Sequence, residues 1–229
     1  MLSRVAAIGA ILCAPLSACT ATIAGTANPG PPVPLATTEA LPSFLLSASD
    51  VGSAMSSGDL AVVRDVDKFW NDAARLNNVD CLAVAGTAQE GVYAGTGATA
   101  THSQVLREPP TSPTWSHYAV QAVVLFPTSQ AAVAFYEKSR RSWGACSERE
   151  LSYPQPIGEA QRWSVGSIST DHDVLAVSRI EQAPDRWSCQ RALTVHSNVA
   201  IDVEACSTDG PPTAATAIAR QIATRLPAA

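Results

Sequence analysis

Charge is scarce in this 229-residue chain, where Asp, Glu, Lys and Arg together make up 15% of the residues. The formal net charge is −5. With no basic stripe, the chain lacks the electrostatic footprint of a nucleic-acid binder. A mildly acidic balance also gives no attraction to anionic lipid by charge alone. Alanine, threonine and serine occupy the surface positions instead, a pattern we read as compositional bias towards alanine rather than as adhesion. Metal-binding cysteine pairs of the CxxC type are absent, so we expect neither a structural metal nor a cofactor. There is no GxSxG elbow, HExxH helix or P-loop. Gly91, Gly95 and Gly97 flank Tyr93 without the spacing that a dinucleotide requires. No internal repeat is evident.

The N-terminus is more informative. Arg4 precedes an apolar run from Val5 to Ala14, followed by Leu16-Ser17-Ala18 and Cys19. The run is too short to span a bilayer and reads as a secretory signal over residues 1–18. Leu16-Ser17-Ala18-Cys19 resembles a bacterial lipobox, in which the cysteine sulfur receives diacylglycerol and the chain is cut before it. That resemblance implies membrane attachment through lipid on Cys19, on the extracytoplasmic face. Two acyl chains suffice for stable anchoring. Removing residues 1–18 removes Arg4 and leaves a net charge of about −6. Residues 19–40 are rich in Pro, Thr and Ala, with Glu39 as the only charge, and read as a tether. The folded part is expected from Leu41, giving one domain over residues 41–229.

With Cys13 in the signal and Cys19 carrying lipid, Cys81, Cys146, Cys189 and Cys206 remain. An even number in an exported domain indicates two disulfides. Strand-like runs flank Ser197-Asn198. If those two residues form the hairpin loop, paired residue numbers sum to 395, as those of Cys189 and Cys206 do. The two cysteines then face each other within bridging distance. This register sets Leu193 opposite Asp202. A slip of one residue gives the better apolar match, Leu193 with Val203, and a bulge near Arg191 would reconcile the two. Cys189–Cys206 leaves Cys81–Cys146 by elimination.

The strongest local pattern runs from Val120 to Cys146. Val120 to Phe126 is an apolar strand that Pro127 stops, and Thr128 or Ser129 can cap the helix that follows. Ala132, Phe135, Ser139 and Trp143 recur on one helical face, and Gly144 offers a left-handed stop. Cys146 then clamps this helix end to the Cys81 loop, and a binding site is expected in the loops beside this unit. Upstream, Ser47 to Asp50 cap a short helix ended by Gly58, Leu60 to Val66 forms a strand, and Phe69 to Leu76 reads as an apolar helix. Ala98 to Arg107 alternates as a strand that pairs with the Val120 strand as an antiparallel hairpin. Downstream, Tyr153 to Pro156 is loop, and Gln161 to Ile168 and Val174 to Glu181 are strands around Ser169 to Asp173. The hairpin from Trp187 to Cys206 follows, Gly210-Pro211-Pro212 breaks the chain, and Thr213 caps a last helix with Ala214, Ile218, Ile222 and Leu226 on one face. The fold class is α+β, a single domain with a central antiparallel sheet, flanking helices and two disulfides.

Of the candidates for chemistry, Asp171-His172-Asp173 falls in an expected hairpin turn and reads as solvated loop. His102, His117 and His196 are scattered, so no catalytic residues are assigned. Trp70, Trp115, Trp143, Trp163 and Trp187 are core residues or line a cleft.

Several pieces together resemble a known family. They are Leu45-Leu46-Ser47-Ala48-Ser49-Asp50-Val51-Gly52, then Asp80-Cys81-Leu82 with Tyr93, then Gln121 to Phe126 with Phe135, Trp143 and Cys146. Trp187-Ser188-Cys189-Gln190-Arg191, Asn198-Val199 and Cys206 complete the set. From about Leu45 to Leu226 the chain resembles the extracellular sensor domain of the mycobacterial Ser/Thr kinase PknH, which also occurs in mycobacterial lipoproteins. The resemblance implies an α+β domain with two disulfides and a cleft that binds a ligand. It departs from the kinase in having no kinase domain and no spanning helix, so signalling across the membrane would need another protein. The expected function is that of a non-catalytic, membrane-anchored sensor-like lipoprotein that binds an unknown small molecule or envelope component. The alternatives are an envelope protein-interaction or cell-wall-binding module and, less favoured, a hydrolase.

Overall fold

A computed structural model describes residues 34–112, 114–184, 186–208 and 213–227. The expected signal sequence, Cys19, most of the expected tether and Gly210-Pro211-Pro212 lie outside them. Among the described residues, nine strands form one antiparallel sheet. They are β1 (Ala61–Val66), β2 (Ala100–Glu108), β3 (His117–Leu125), β4 (Glu150–Tyr153), β5 (Gln161–Val165), β6 (Ser169–Asp171), β7 (Val174–Glu181), β8 (Ser188–His196) and β9 (Val199–Ser207). The order across the sheet is β1-β2-β3-β9-β8-β7-β5-β4, with β6 paired to β7. The helices are α1 (Leu41–Phe44), α2 (Ala48–Met55), α3 (Leu82–Ala85), α4 (Glu90–Tyr93), α5 (Ser129–Gly144) and α6 (Ala214–Ala223).

Strand alternation sorts the core into two layers. On one face Leu106, Ala119, Val123, Ala192, Ile201 and Val203 pack with residues of α1, α2 and α6. On the other, Val124, Leu175, Leu193 and Ala200 pack with residues of α3, α4 and α5. The α5 face runs as expected, with Ala132, Phe135, Ser139 and Trp143 buried and Tyr136 added. Thr128 is its N-cap, its hydroxyl accepting from the Ala131 amide at 3.1 Å. Gly144 is not a left-handed stop. It is the last helical residue, followed by Ala145 in the right-handed region. The chain instead tightens through the Cys146 N–H to the Trp143 carbonyl and makes its left-handed step at Glu148, φ 60°.

The 395 register holds along the whole β8–β9 ladder, including Cys189 opposite Cys206 and Leu193 opposite Asp202. The expected bulge near Arg191 is absent, because Asp202 is not a misplaced surface residue. It is buried and bonded to Arg191, so the apolar match was the wrong criterion. Both disulfides form, Cys81–Cys146 with a Cα separation of 5.7 Å and Cys189–Cys206 with 4.0 Å.

Four other elements differ from expectation. Phe69 to Leu76 is not a helix and holds only a 3-10 turn, Ala73–Arg75. Trp70 instead pairs its backbone with residues 88 and 90, and Phe69 stacks on Tyr93 with ring centroids 5.3 Å apart. Glu150–Tyr153 is an edge strand, and Ser169–Asp171 is a strand that returns on β7 through His172 and Asp173, at φ 45° and 63°. The Thr213 hydroxyl does not cap α6. The Gln190 side chain does so from β8, its carbonyl accepting from the Thr216 amide at 3.1 Å. The fold also begins before Leu41, since Ala36 is buried in the first layer.

Ala36 is held by Asn198 in the β8–β9 turn. The Asn198 carboxamide accepts from the Ala36 N–H at 2.8 Å and donates to the carbonyls of Ala36 (3.1 Å) and Phe126 (2.8 Å). Three buried backbone groups therefore depend on one side chain. Asn198→Ala is expected to cost about 1–3 kcal/mol, as orphaned buried groups do, and a urea-denaturation midpoint equal to wild type would contradict this role.

Candidate ligand cleft

The second face of the sheet is only half covered. Towards one end of the strands, α5 seals Val124, Ala200, Leu193 and Leu175. Towards the other end, the same face opens into a cleft of about 750 Å³, floored by Tyr118 and Val120 of β3, Glu204 and Cys206 of β9, Cys189 of β8 and Arg179 of β7. Such a volume suits a small molecule. The floor is the sheet itself, whereas the sequence placed the expected site in the loops beside α5. Leu82 and Ala85 of α3, with Gly86, Thr87, Thr114 and Trp115 from loops, complete the lining.

A ladder of charge crosses from the sealed half into the open half. Under α5, Arg191 pairs with Asp202, and neither side chain is more than 5% exposed. Asp202 also accepts from the Ala88 amide at 2.9 Å and the Tyr93 hydroxyl at 3.0 Å. The Trp143 indole lies 5.5 Å from the Arg191 guanidinium. Burial, reinforced by the Asp202 charge, pushes the Tyr93 phenol far above its ordinary pKa, so it stays a donor. One step along, Arg179 pairs with Glu204 and donates to the Ala85 carbonyl (2.9 Å) and the Tyr153 hydroxyl (3.1 Å). Burial works against the Arg179 charge, but Glu204 and Tyr153 outweigh it and raise its pKa. Tyr118 is held protonated by burial and then by the charges of Glu204 and Asp72.

Four tryptophans, Trp70, Trp115, Trp163 and Trp187, line the cleft, whereas Trp143 is 1% exposed in the core. Three of the four carry an arginine. Arg64 lies 4.6 Å from the Trp70 ring centroid, Arg107 4.7 Å from Trp115 and Arg179 5.5 Å from Trp163. The four histidines are elsewhere. His102 Nε2 lies 2.9 Å from Asp65, His117 Nδ1 2.8 Å from Glu108, and His196 Nε2 3.0 Å from the Pro227 carbonyl. His172 stands exposed at the β6–β7 turn, where Asp171 pairs with Arg220. Among the described residues one group gathers metal-type ligand atoms, Cys189, Glu204 and Cys206, but both sulfurs are spent in the disulfide. Tyr93 between its glycines is a structural donor to Asp202 rather than part of a phosphate loop.

Sequence reasoning missed the arginines. The available signal was parity. Arg191 falls between Cys189 and Leu193, and Arg179 follows Leu175 and Val177, all at the spacing of two that marks one strand face. A charge at core parity points to a buried partner.

The sequence matches the family of PknH-like extracellular domains over residues 36–225. It is 31% identical over 176 residues to the serine/threonine-protein kinase PknH of Mycobacterium bovis, covering 77% of this chain and 29% of that protein. The same identity and coverage of this chain hold for PknH of Mycobacterium tuberculosis, with 28% of that protein covered. The chain thus spans less than a third of these kinases. The crystal structure of the extracellular domain of PknH from M. tuberculosis superposes with a TM-score of 0.78 at 28% identity, covering 85% of this chain and 98% of that one. This likeness puts the described domain on the extracytoplasmic side. No helix among the described residues is long and apolar enough to cross a membrane.

Proposed function

The chain belongs to the family of PknH-like extracellular domains, and on that footing we propose that it is a lipid-anchored, sensor-like binding protein of the outer face of the cell membrane. Its cleft binds a small molecule, and it performs no catalysis. The observation that carries this reading is the open half of the sheet face, where four indoles surround a floor of fixed polar groups. A preformed concavity with an apolar lining and a few convergent polar groups is what ligand sites share. Among the described lining residues there is no histidine to act as a general base, which favours binding over hydrolysis. A concave site also favours a small ligand over the docking of another envelope protein, which calls for a flat apolar patch.

Val63, half-buried at the cleft wall, offers a test. Wild-type full chain and Val63→Trp are each incubated with a cell-envelope extract, re-isolated and analysed by mass spectrometry. A species held by wild type and lost from the filled cleft is the expected result; identical profiles would count against the reading. Anchoring is tested separately. Cys19→Ala should move the protein out of the membrane fraction, and unchanged partitioning would refute lipidation at this residue.

A further inference from the structure

Resting on the cleft as a ligand site, we infer that its ligand is an amphipathic anion, with a phosphate or carboxylate head held by Arg64 and Arg107 and an apolar body lying towards Trp163 and Trp187. The charges lining the cleft are Arg64, Arg75, Arg107 and Arg179 against Asp72 and Glu204. Arg75 pairs with Asp72 at 3.6 Å, and Arg179 pairs with Glu204. Arg64 and Arg107 are left with no carboxylate partner among the described residues, in a molecule whose net charge is negative.

Their geometry suits a shared anion. Arg64 lies opposite Val105 in the β1–β2 ladder, and Arg107 is two residues beyond Val105. The two arginines come from adjacent strands on either side of the bulge between Val62 and Arg64, and both line the cleft. Each guanidinium stacks on an indole, Trp70 or Trp115. Stacking occupies the flat face of a guanidinium and leaves its in-plane N–H groups free to grip an oxyanion in bidentate fashion. Neither arginine spends those groups on a hydrogen bond among the described residues, and Arg107 Nε is a buried donor with no partner.

A lining of tryptophans also raises the opposite possibility, an aromatic cage for a cation. Here the indoles of Trp70, Trp115 and Trp163 are already occupied by arginine. A cationic ligand would meet those guanidinia as like charges. Beyond the head, Val63, Val105, Val120, the Cys189–Cys206 bridge, Trp163 and Trp187 give the cleft apolar lining on either side of the paired Arg179 and Glu204.

The test is calorimetric titration of the full chain as isolated, in phosphatidylcholine nanodiscs where it carries acyl chains, with blanks subtracted. The probes are octyl phosphate, octanoate, octyl glucoside, octylammonium and inorganic phosphate. Octyl phosphate or octanoate should bind at least tenfold tighter than octylammonium and octyl glucoside, and tighter than inorganic phosphate. Which of the two leads distinguishes a phosphate-headed from a carboxylate-headed ligand. Arg64→Gln with Arg107→Gln should weaken the anions at least tenfold without weakening octylammonium. Glu137→Gln with Arg140→Gln, an exposed α5 pair that does not line the cleft and whose loss removes one charge of each sign, should change them less than twofold. Thermal melts of each variant check the fold, and for wild type alone the anion affinity should fall as NaCl is raised. If octylammonium or octyl glucoside binds as tightly as the anions, and loses its affinity in Val63→Trp, the anion assignment is overturned while the cleft reading stands. If no probe responds to Val63→Trp, both fail.

Discussion

Asp202→Ala is expected to destabilise the fold by about 3–5 kcal/mol, the usual cost of breaking a buried ion pair from one side. Arg191 would be left charged at 0% residue exposure, beneath Trp143 and α5. The loss extends further, since the Ala88 amide and Tyr93 hydroxyl would lose their acceptor. For a domain of this size the melting midpoint should fall by roughly 6–20 °C. Asp202→Asn keeps one carbonyl oxygen for those two donors but turns an NH2 towards Arg191 in place of the accepting oxygen, so its loss should be smaller than that of Asp202→Ala without vanishing. The decisive comparison is Asp202→Leu in an Arg191→Met background. With both charges gone, the loss should be smaller than that of Asp202→Ala, and what remains should be the cost of the Ala88 amide and Tyr93 hydroxyl left without an acceptor. Additive losses across that cycle would show that Asp202 acts through the backbone of the Ala88 loop rather than through Arg191.

The second large effect concerns the two bridges. Cys81 and Cys146 are separated by 65 residues and Cys189 and Cys206 by 17. Closing the longer loop restricts the unfolded chain more, and the chain-entropy estimate is about 4 kcal/mol for the first and about 3 kcal/mol for the second. The surroundings widen the gap. Cys189 and Cys206 sit within a ladder whose backbone pairing runs on either side of them. Cys81 and Cys146 covalently tie the end of α5 to the loop before α3, with Arg149 to Asp80 at 2.6 Å as an exposed neighbour. The Arg149 hydrogen bond holds the Asp80 carboxyl below its ordinary range. Urea denaturation of Cys81→Ala/Cys146→Ala against Cys189→Ala/Cys206→Ala should therefore rank the first as less stable. The reverse order would mean that strain or residual unfolded structure outweighs loop entropy.

Local patterns transferred well from sequence to structure wherever one segment contained its own explanation. Thr128 caps α5, four residues predicted for its face are buried, and the β8–β9 hairpin turns at Ser197-Asn198 as read. The pairing of all four described cysteines followed from that single turn. Predictions failed where a distant partner overrode the local signal. Phe69 to Leu76 has helical spacing, yet residue 70 gives its backbone to residues 88 and 90. Thr213 is a sensible cap, yet Gln190 of another strand supplies the acceptor. Asp202 looked like an error of register until Arg191, Tyr93 and Ala88 met at it.

For this protein, sequence alone determined the α+β class, the antiparallel hairpins, both disulfides and the family. Each depends on periodicity, turn chemistry or residue identity, which a single chain displays in order. Only the tertiary structure decided where the cleft lies and which residues line it. Its floor is assembled from β3, β7, β8 and β9 and the rest of its lining includes α3 and loops near residues 86 and 115, segments far apart in the chain. Arginine is a surface residue by default, and three of them became cleft residues because the fold set a tryptophan beneath each. That juxtaposition comes from strand order and from the half of a sheet face that α5 leaves open.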